Sequence, residues 1–268
     1  MPEEFDFWKL IAGLGIFLFG MFLMEESVRK LSGRSFRRLI RDYTRGRFRS
    51  IASGVFTTGL LQSSSAISLM VLAFVGAGVM DMTSAIGVIM GSNLGTTLTG
   101  WIVATLGFSF KIESFALPLI GIGGLGLIFL GKSEKYSNIS KLMVGFGFLF
   151  LGLDYMKGGV EALASQFDLS TFRDYNIFVF VGLGFIFTVL MQSSSATLAI
   201  VLTTLHAGVI DFHSGAGLVI GANIGTTFTI ILGAMGAAQV KKRVALSHFL
   251  FNVVTAVVAL ALVYPLSW

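Results

Sequence analysis

The chain has 268 residues, 54% of them hydrophobic and 12% charged, and a mean hydropathy of +0.85, a balance that excludes a soluble globular domain and makes it an integral membrane protein. The absence of cysteine excludes disulfides, thiolate metal sites and thiol nucleophiles together, and three scattered histidines offer no ligand spacing, so no cofactor is expected. A net charge of +5 would suggest nucleic acid for a soluble protein; here no such partner is expected, and the question becomes where the cations sit relative to the bilayer.

The acidic start (Glu3, Glu4, Asp6) lacks the basic n-region of a signal peptide, so Trp8–Met24 is expected to stay as a first span, near the lower end of the roughly 17–25 residues a crossing needs. From Glu25 to Ser50, Arg29, Lys30, Arg34, Arg37, Arg38, Arg41, Arg45, Arg47 and Arg49 are interleaved with Val28, Leu31, Phe36, Leu39, Ile40 and Phe48 at helical spacing. That predicts an amphipathic helix on an anionic inner leaflet, with a solvated basic loop as the plainer alternative. Ile51–Leu61 is 11 residues, about 16 Å as a helix and half a bilayer. Gln62-Ser63-Ser64-Ser65 then interrupts the hydrophobicity and Ala66–Val79 restores it, so a re-entrant hairpin with a polar tip is expected, covered at that depth by protein or a water-filled cavity. Asp81, ahead of Thr83-Ser84, reads as an N-cap, with an ion ligand as the alternative. Thr83–Leu106 can span but carries Gly91-Ser92-Asn93-Leu94-Gly95-Thr96-Thr97 near its middle, which predicts a helix break exposing carbonyls and amides. Ile112–Leu130 is an apolar span and Lys132–Lys141 a polar turn.

The chain then repeats itself. Gln62–Thr99 and Gln192–Thr229 share 19 of 38 positions at an offset of 130, including the whole of Gln-Ser-Ser-Ser-Ala and Gly-x-Asn-x-Gly-Thr-Thr-x-Thr. Gly145-Phe-Gly147 and Gly152 echo Gly13-Leu-Gly15 and Gly20, so the duplication includes the first helix. We expect an all-α membrane protein of two units, 1–138 and 139–268, each with three spanning helices, one of them discontinuous, and a re-entrant helical hairpin. In the second unit the hairpin is Ile177–Leu190 and Ala196–Val209, the broken span Ser214–Gly236 and the last span Arg243–Tyr264; Gly158–Asn176 is a hydrophilic connection, and Asp211 repeats the cap.

An odd number of crossings per unit requires the second copy to be inserted upside down. In that topology 15 of the 19 Lys/Arg fall on one side, which the positive-inside bias makes cytoplasmic, with both termini outside and the plasma (inner) membrane as the location. Two inverted tips meeting at the midplane would offer Gln62, Ser63, Ser64, Ser65, Gln192, Ser193, Ser194 and Ser195 as neutral donors and acceptors, with helix N-termini behind them as anion-binding amides. Asn93, Thr96, Thr97, Asn223, Thr226 and Thr227 supply oxygens suited to a hard monovalent cation, joined by Ser64, Ser65, Ser194 and Ser195. No Lys or Arg sits at a span centre, so an anion there needs helix dipoles and a co-bound cation.

The doubled Gln-Ser-Ser-Ser motif, each copy followed about thirty residues on by Gly-(Ser/Ala)-Asn-(Leu/Ile)-Gly-Thr-Thr, resembles the type II sodium/phosphate cotransporter family over nearly the whole chain, as does Ser247-His248-Phe249-Leu250-Phe251-Asn252 late in it. The resemblance implies a sodium-coupled symporter importing inorganic phosphate by alternating access, with phosphate at the two tips and sodium on nearby backbone and hydroxyl oxygens. Many bacterial relatives continue into a domain similar to the PhoU regulator whereas this chain stops at Trp268, so a PhoU-like regulator joins a homodimer, the lipid bilayer, phosphate and sodium among expected partners. The sodium-linked carboxylate of electrogenic animal relatives has no match between Asn223 and Lys241. Alternatives are a sodium-coupled transporter of another oxyanion and a membrane docking or signalling protein of phosphate homeostasis. An enzyme is not expected: neither serine motif has the Gly-x-Ser-x-Gly elbow, and no base repeats beside it. His206 and His248 read as helix-interface residues, and Asp154 as a carboxylate at a helix end.

Overall fold

The computed structural model describes residues 7–42, 46–109, 113–166 and 175–266. All elements in them are helices: α1 (Phe7–Asp42), α2 (Arg47–Leu61), α3 (Ser64–Gly76), α4 (Met82–Ser109), α5 (Glu113–Leu130), α6 (Glu134–Gln166), α7 (Ile177–Met191), α8 (Ser194–His206), α9 (Phe212–Ala234) and α10 (Gln239–Leu266). Segments of α1, α4, α6, α9 and α10 are long and apolar enough to cross a membrane. Helices α2, α3, α7 and α8, at 13 to 15 residues, are about 20 Å long and fall short of a bilayer core.

Three expectations are corrected. The basic stretch after Met24 is no separate element at its start, because α1 runs unbroken from Phe7 to Asp42, 36 residues or about 54 Å. No proline interrupts it, and Glu, Arg, Lys and Leu all favour helix. The side chains of Arg34, Arg37, Arg38 and Arg41, which would decide a lipid-facing role, and Arg45 as a whole lie outside what the structure describes. The second unit's first helix begins at Glu134, inside the expected polar turn Lys132–Lys141, and continues to Gln166, well into the expected connection Gly158–Asn176.

The third correction is physical in origin. Neither α4 nor α9 breaks at its Gly-x-Asn-x-Gly segment; both are continuous. The glycines admit a neighbouring backbone instead. A methyl group on Gly91 would meet the Ile51 carbonyl oxygen and one on Gly95 would lie 2.7 Å from that of Val55, so α2 rests directly on α4. In the second unit Gly221 faces the Val181 carbonyl and a methyl on Gly225 would come within 2.9 Å of that of Phe185, seating α7 on α9. Without a hydrophobic drive between helices in lipid, association rests on such close approach. Asp81 and Asp211 cap as expected, each accepting 2.8 Å hydrogen bonds from the amides of Ser84 and Ser214. The amide of Ser84, and next its hydroxyl, hold the Asp81 carboxyl below the usual carboxylate range.

The first helices of the two units pack on each other. Gly13 meets the backbone of Gly152 and Met156, and Gly20 that of Gly145 and Leu149, so α1 and α6 run antiparallel. Glu26 pairs with Lys30 on its own helix (2.5 Å) and with Lys141 of α6 (3.7 Å), the latter joining one end of the two helices. Around it forms one core, with Phe17, Met24, Leu149, Leu153 and Met156 joined by Ala196 and Ala199 of α8. A second core joins Ile67, Val71 and Val75 of α3 to Val88 and Ile89 of α4, Ile230 of α9 and Val244 of α10. Each hairpin lends its second arm to one of these cores, α8 to the first and α3 to the second.

Candidate functional site

Each hairpin turns on a glutamine. Gln62 (φ 55°) and Gln192 (φ 52°) are the two described non-glycine residues with left-handed backbone, each ending the first arm of its hairpin. That conformation costs about 1–2 kcal/mol for an L-residue, so something must hold it. The side chains do so identically in both copies. The Gln62 amide donates to the Gly59 carbonyl while its oxygen accepts from the Thr99 hydroxyl at 2.7 Å; Gln192 donates to Val189 (2.6 Å) and accepts from Thr229 (2.9 Å). Ser63 and Ser193 then cap the second arms by accepting from the amides of Ala66 (3.3 Å) and Ala196 (3.2 Å). The cap engages the third amide of the turn, so those of Ser64 and Ser65, and of Ser194 and Ser195, are first-turn donors with no partner inside their helix.

All eight tip residues line one cavity of about 270 Å³, whose remaining walls are Met191 and Leu18, Met21, Phe22 and Glu25 of α1. The second tip also reaches the first unit, the Ser195 hydroxyl donating at 3.5 Å to that of Thr99, which locks Gln62. No Lys or Arg is among the described lining residues; the positive potential comes from the N-termini of α3 and α8.

A second, larger cavity of about 520 Å³ shares Ser64 and Ser194 with the first and is lined by Asn93, Thr96, Thr97, Asn223 and Thr226, with Phe251 and Thr255 of α10. Of the residues expected around a cation, Ser65 and Ser195 face the tip cavity alone, and Thr227, almost fully buried, faces neither. The threonine hydroxyls donate to their own helices: Thr96 to Ser92 (3.0 Å), Thr97 to Leu94 (2.7 Å), Thr226 to Ala222 (3.0 Å), Thr227 to Ile224 (2.7 Å). A hydroxyl whose proton is spent in this way turns its lone pairs outward as a cation ligand would.

Two sets of residues escaped the sequence reading. Thr99 and Thr229, which lock the glutamines, stand in the duplicated stretch and could have been found there. Asn252 of α10, quoted only as part of the Ser247–Asn252 resemblance, was given no role, since α5 has no asparagine to repeat it. Fully buried, Asn252 accepts from the Asn93 side chain and donates to the Asn223 carbonyl at 2.8 Å, joining the two Gly-x-Asn-x-Gly segments. His248, one turn earlier and 2% exposed, lies 3.4 Å from Asn93 and 3.2 Å from Asn252, at the helix interface expected of it.

Duplicated polar tips enclosed among membrane-crossing helices define a multi-pass membrane protein of the transporter class. The chain belongs to the Na+/Pi-cotransporter family, whose model matches residues 16–158 and 169–264. It is 27% identical over 252 residues to "Uncharacterized protein YqeW" of Bacillus subtilis, covering 93% of this chain and 78% of that one. It is 26% identical over 262 residues to "Putative inorganic phosphate export protein YjbB" of Salmonella typhimurium, covering 96% of this chain and 47% of that one, so it spans about half the length of that relative. A 53-residue stretch, 20% of the chain, is 45% identical to "Sodium-dependent phosphate transport protein 2A" of Ovis aries, of which it covers 8%. No solved structure matches the chain.

Proposed function

We propose that the chain is a sodium-coupled symporter that imports inorganic phosphate across the inner membrane by alternating access. Phosphate lies in the tip cavity, held by the first-turn amides of α3 and α8 and by Ser64, Ser65, Ser194 and Ser195; Gln62 and Gln192 act on it through the backbone turn they fix. Sodium binds where the two cavities meet, among Ser64, Ser194, Asn93, Thr96, Asn223 and Thr226, and offsets the anion's charge. In this reading the units are inverted repeats, α2–α3 and α7–α8 are re-entrant hairpins, and the basic ends of α1, α6 and α10 face the cytoplasm. The observation that carries it is one cavity lined by all eight tip residues, rich in neutral donors and with no Lys or Arg among its described lining residues. The relatives named for phosphate export support the same substrate and make direction the property to measure.

Proteoliposomes loaded with potassium and diluted into sodium should accumulate labelled phosphate, and should release it when the gradient is reversed. Uptake that runs equally fast with choline in place of sodium, or that follows a pH gradient, overturns the reading.

A further inference from the structure

One side chain of α10 decides how a residue of the first unit is turned. The Asn223 carbonyl of α9 can only accept, so the Asn252 atom 2.8 Å from it is the amide nitrogen, and the Asn252 oxygen is left for α4. That oxygen accepts from the Asn93 side chain, which fixes the Asn93 amide in turn: its nitrogen is committed to Asn252 and its Oδ1 is not. Oδ1 then has His248 Nε2 at 3.4 Å. The same Nε2 lies 3.2 Å from the Asn252 nitrogen, whose second proton it takes, and a ring nitrogen that accepts there has no proton to give to Asn93. Asn93 Oδ1 therefore keeps its lone pairs, on a residue that lines the cavity of about 520 Å³ together with Ser64 and Ser194. Asn252 itself is fully buried and lines neither cavity.

We propose that Asn252 is a positioning residue for the cation: anchored on the backbone of one unit, it turns the amide of Asn93 in the other so that the oxygen, and not the N–H groups, is free to ligate the ion. The proposal rests on the reading that sodium binds beside the tips. An unanchored asparagine presents protons or lone pairs with equal ease, and an N–H turned toward a cation repels it. Fixing the amide beforehand removes the cost of choosing when the ion arrives. The anchor also makes this ligand a joint product of the two units, since Asn252 touches α4 through a side chain and α9 through a backbone carbonyl.

The test uses the full chain in detergent, with sodium chloride against choline chloride at equal ionic strength. Sodium should raise the thermal midpoint of the wild type, and Asn252→Leu, which fills a similar space with neither donor nor acceptor, should lose most of this rise. With labelled phosphate, Asn252→Leu should raise the sodium concentration for half-maximal binding about tenfold, while its phosphate affinity at saturating sodium stays close to that of the wild type. A residue that acts through Asn93 loses its effect once Asn93 is gone, so in an Asn93→Ala background Asn252→Leu should change the sodium dependence less than about twofold. A merely structural role would instead add to the loss from Asn93→Ala, and additive effects overturn the proposal. So does a monodisperse Asn252→Leu with the sodium response of the wild type. Sodium stabilisation that obeys this cycle, in a protein that binds no phosphate, leaves the positioning role standing and sinks the transport reading; a wild type that sodium does not affect at all sinks both. If Asn252→Leu is not monodisperse, Asn252→Ala in the same cycle decides by the same outcomes.

Discussion

The two hairpin units, α2–α3–α4 and α7–α8–α9, agree where the chain turns and differ where it packs. Both have the left-handed glutamine, its threonine lock, the capping serine, the aspartate cap and the glycine seam, at positions 130 residues apart. Their surroundings diverge. In the second unit the arms are joined by a buried Thr188–Thr197 hydrogen bond of 2.8 Å; in the first the equivalent positions are Thr58, whose buried hydroxyl has no partner, and Ile67. Helix α8 packs into the α1–α6 core, while α3 packs against α9 and α10. Two copies of one design have thus kept the groups that shape the tips and let go of those that only fill space.

The seam offers the hardest blow to that comparison. Replacing Gly91 or Gly221 by Ala forces a methyl group onto a backbone carbonyl, and each should cost about 3 kcal/mol or more, read as a fall in thermal midpoint. Equal losses in the two units would confirm that both seams do the same work; a tolerated Gly221→Ala would show that only α2 needs its close seat. Next come the tips. In the proposed reading Ser64→Ala and Ser194→Ala each remove one hydrogen bond to the anion, worth about 1.5–3 kcal/mol, so phosphate binding should weaken by about one to two orders of magnitude with the fold intact. Calorimetric titration of both variants would show whether the tips share the anion evenly.

The threonines sharpen the difference. Thr188→Val loses the bond to Thr197 and should destabilise by about 1 kcal/mol, whereas Thr58→Val removes an unpartnered buried hydroxyl and should be neutral or stabilising. Denaturation midpoints that move alike would erase the asymmetry. The cap is set apart by its pH dependence. Asp81→Ala should cost about 1 kcal/mol near neutral pH. Because the folded carboxyl titrates below its unfolded value near 3.8, this stabilisation is complete above that value and is lost as pH falls through the lower folded one. The gap between wild type and variant should therefore close on acidification, and a gap that widens would contradict the capping role.

Much of the site was legible because duplication filters out packing: a residue present twice in a polar cluster is there for the cluster. That is how the tips, Asn93 and Asn223 were found, and why Asn252 was given no role, since α5 has no asparagine to repeat it. The helix break was misread because a glycine inside a span weakens the helix and also lets another helix approach. The spacing separates the two outcomes. Gly87, Gly91 and Gly95, and again Gly217, Gly221 and Gly225, fall every fourth residue on one face, which marks a seam. The length of α1 was missed for a related reason, since charge pattern reports where a helix meets water and not where it ends.

The α1–α6 contact says something about how such a molecule is made. Gly13 answers Gly152 and Gly20 answers Gly145, and shifting either residue of a pair by 132 positions yields a residue of the other pair. Such reciprocity belongs to a joint between two identical partners lying in opposite directions. The glycine face of α1 stays uncovered until α6 emerges from the ribosome more than a hundred residues later, so the first half waits on its twin to complete its core. Two half-length polypeptides whose first helices lay antiparallel would close the same joint.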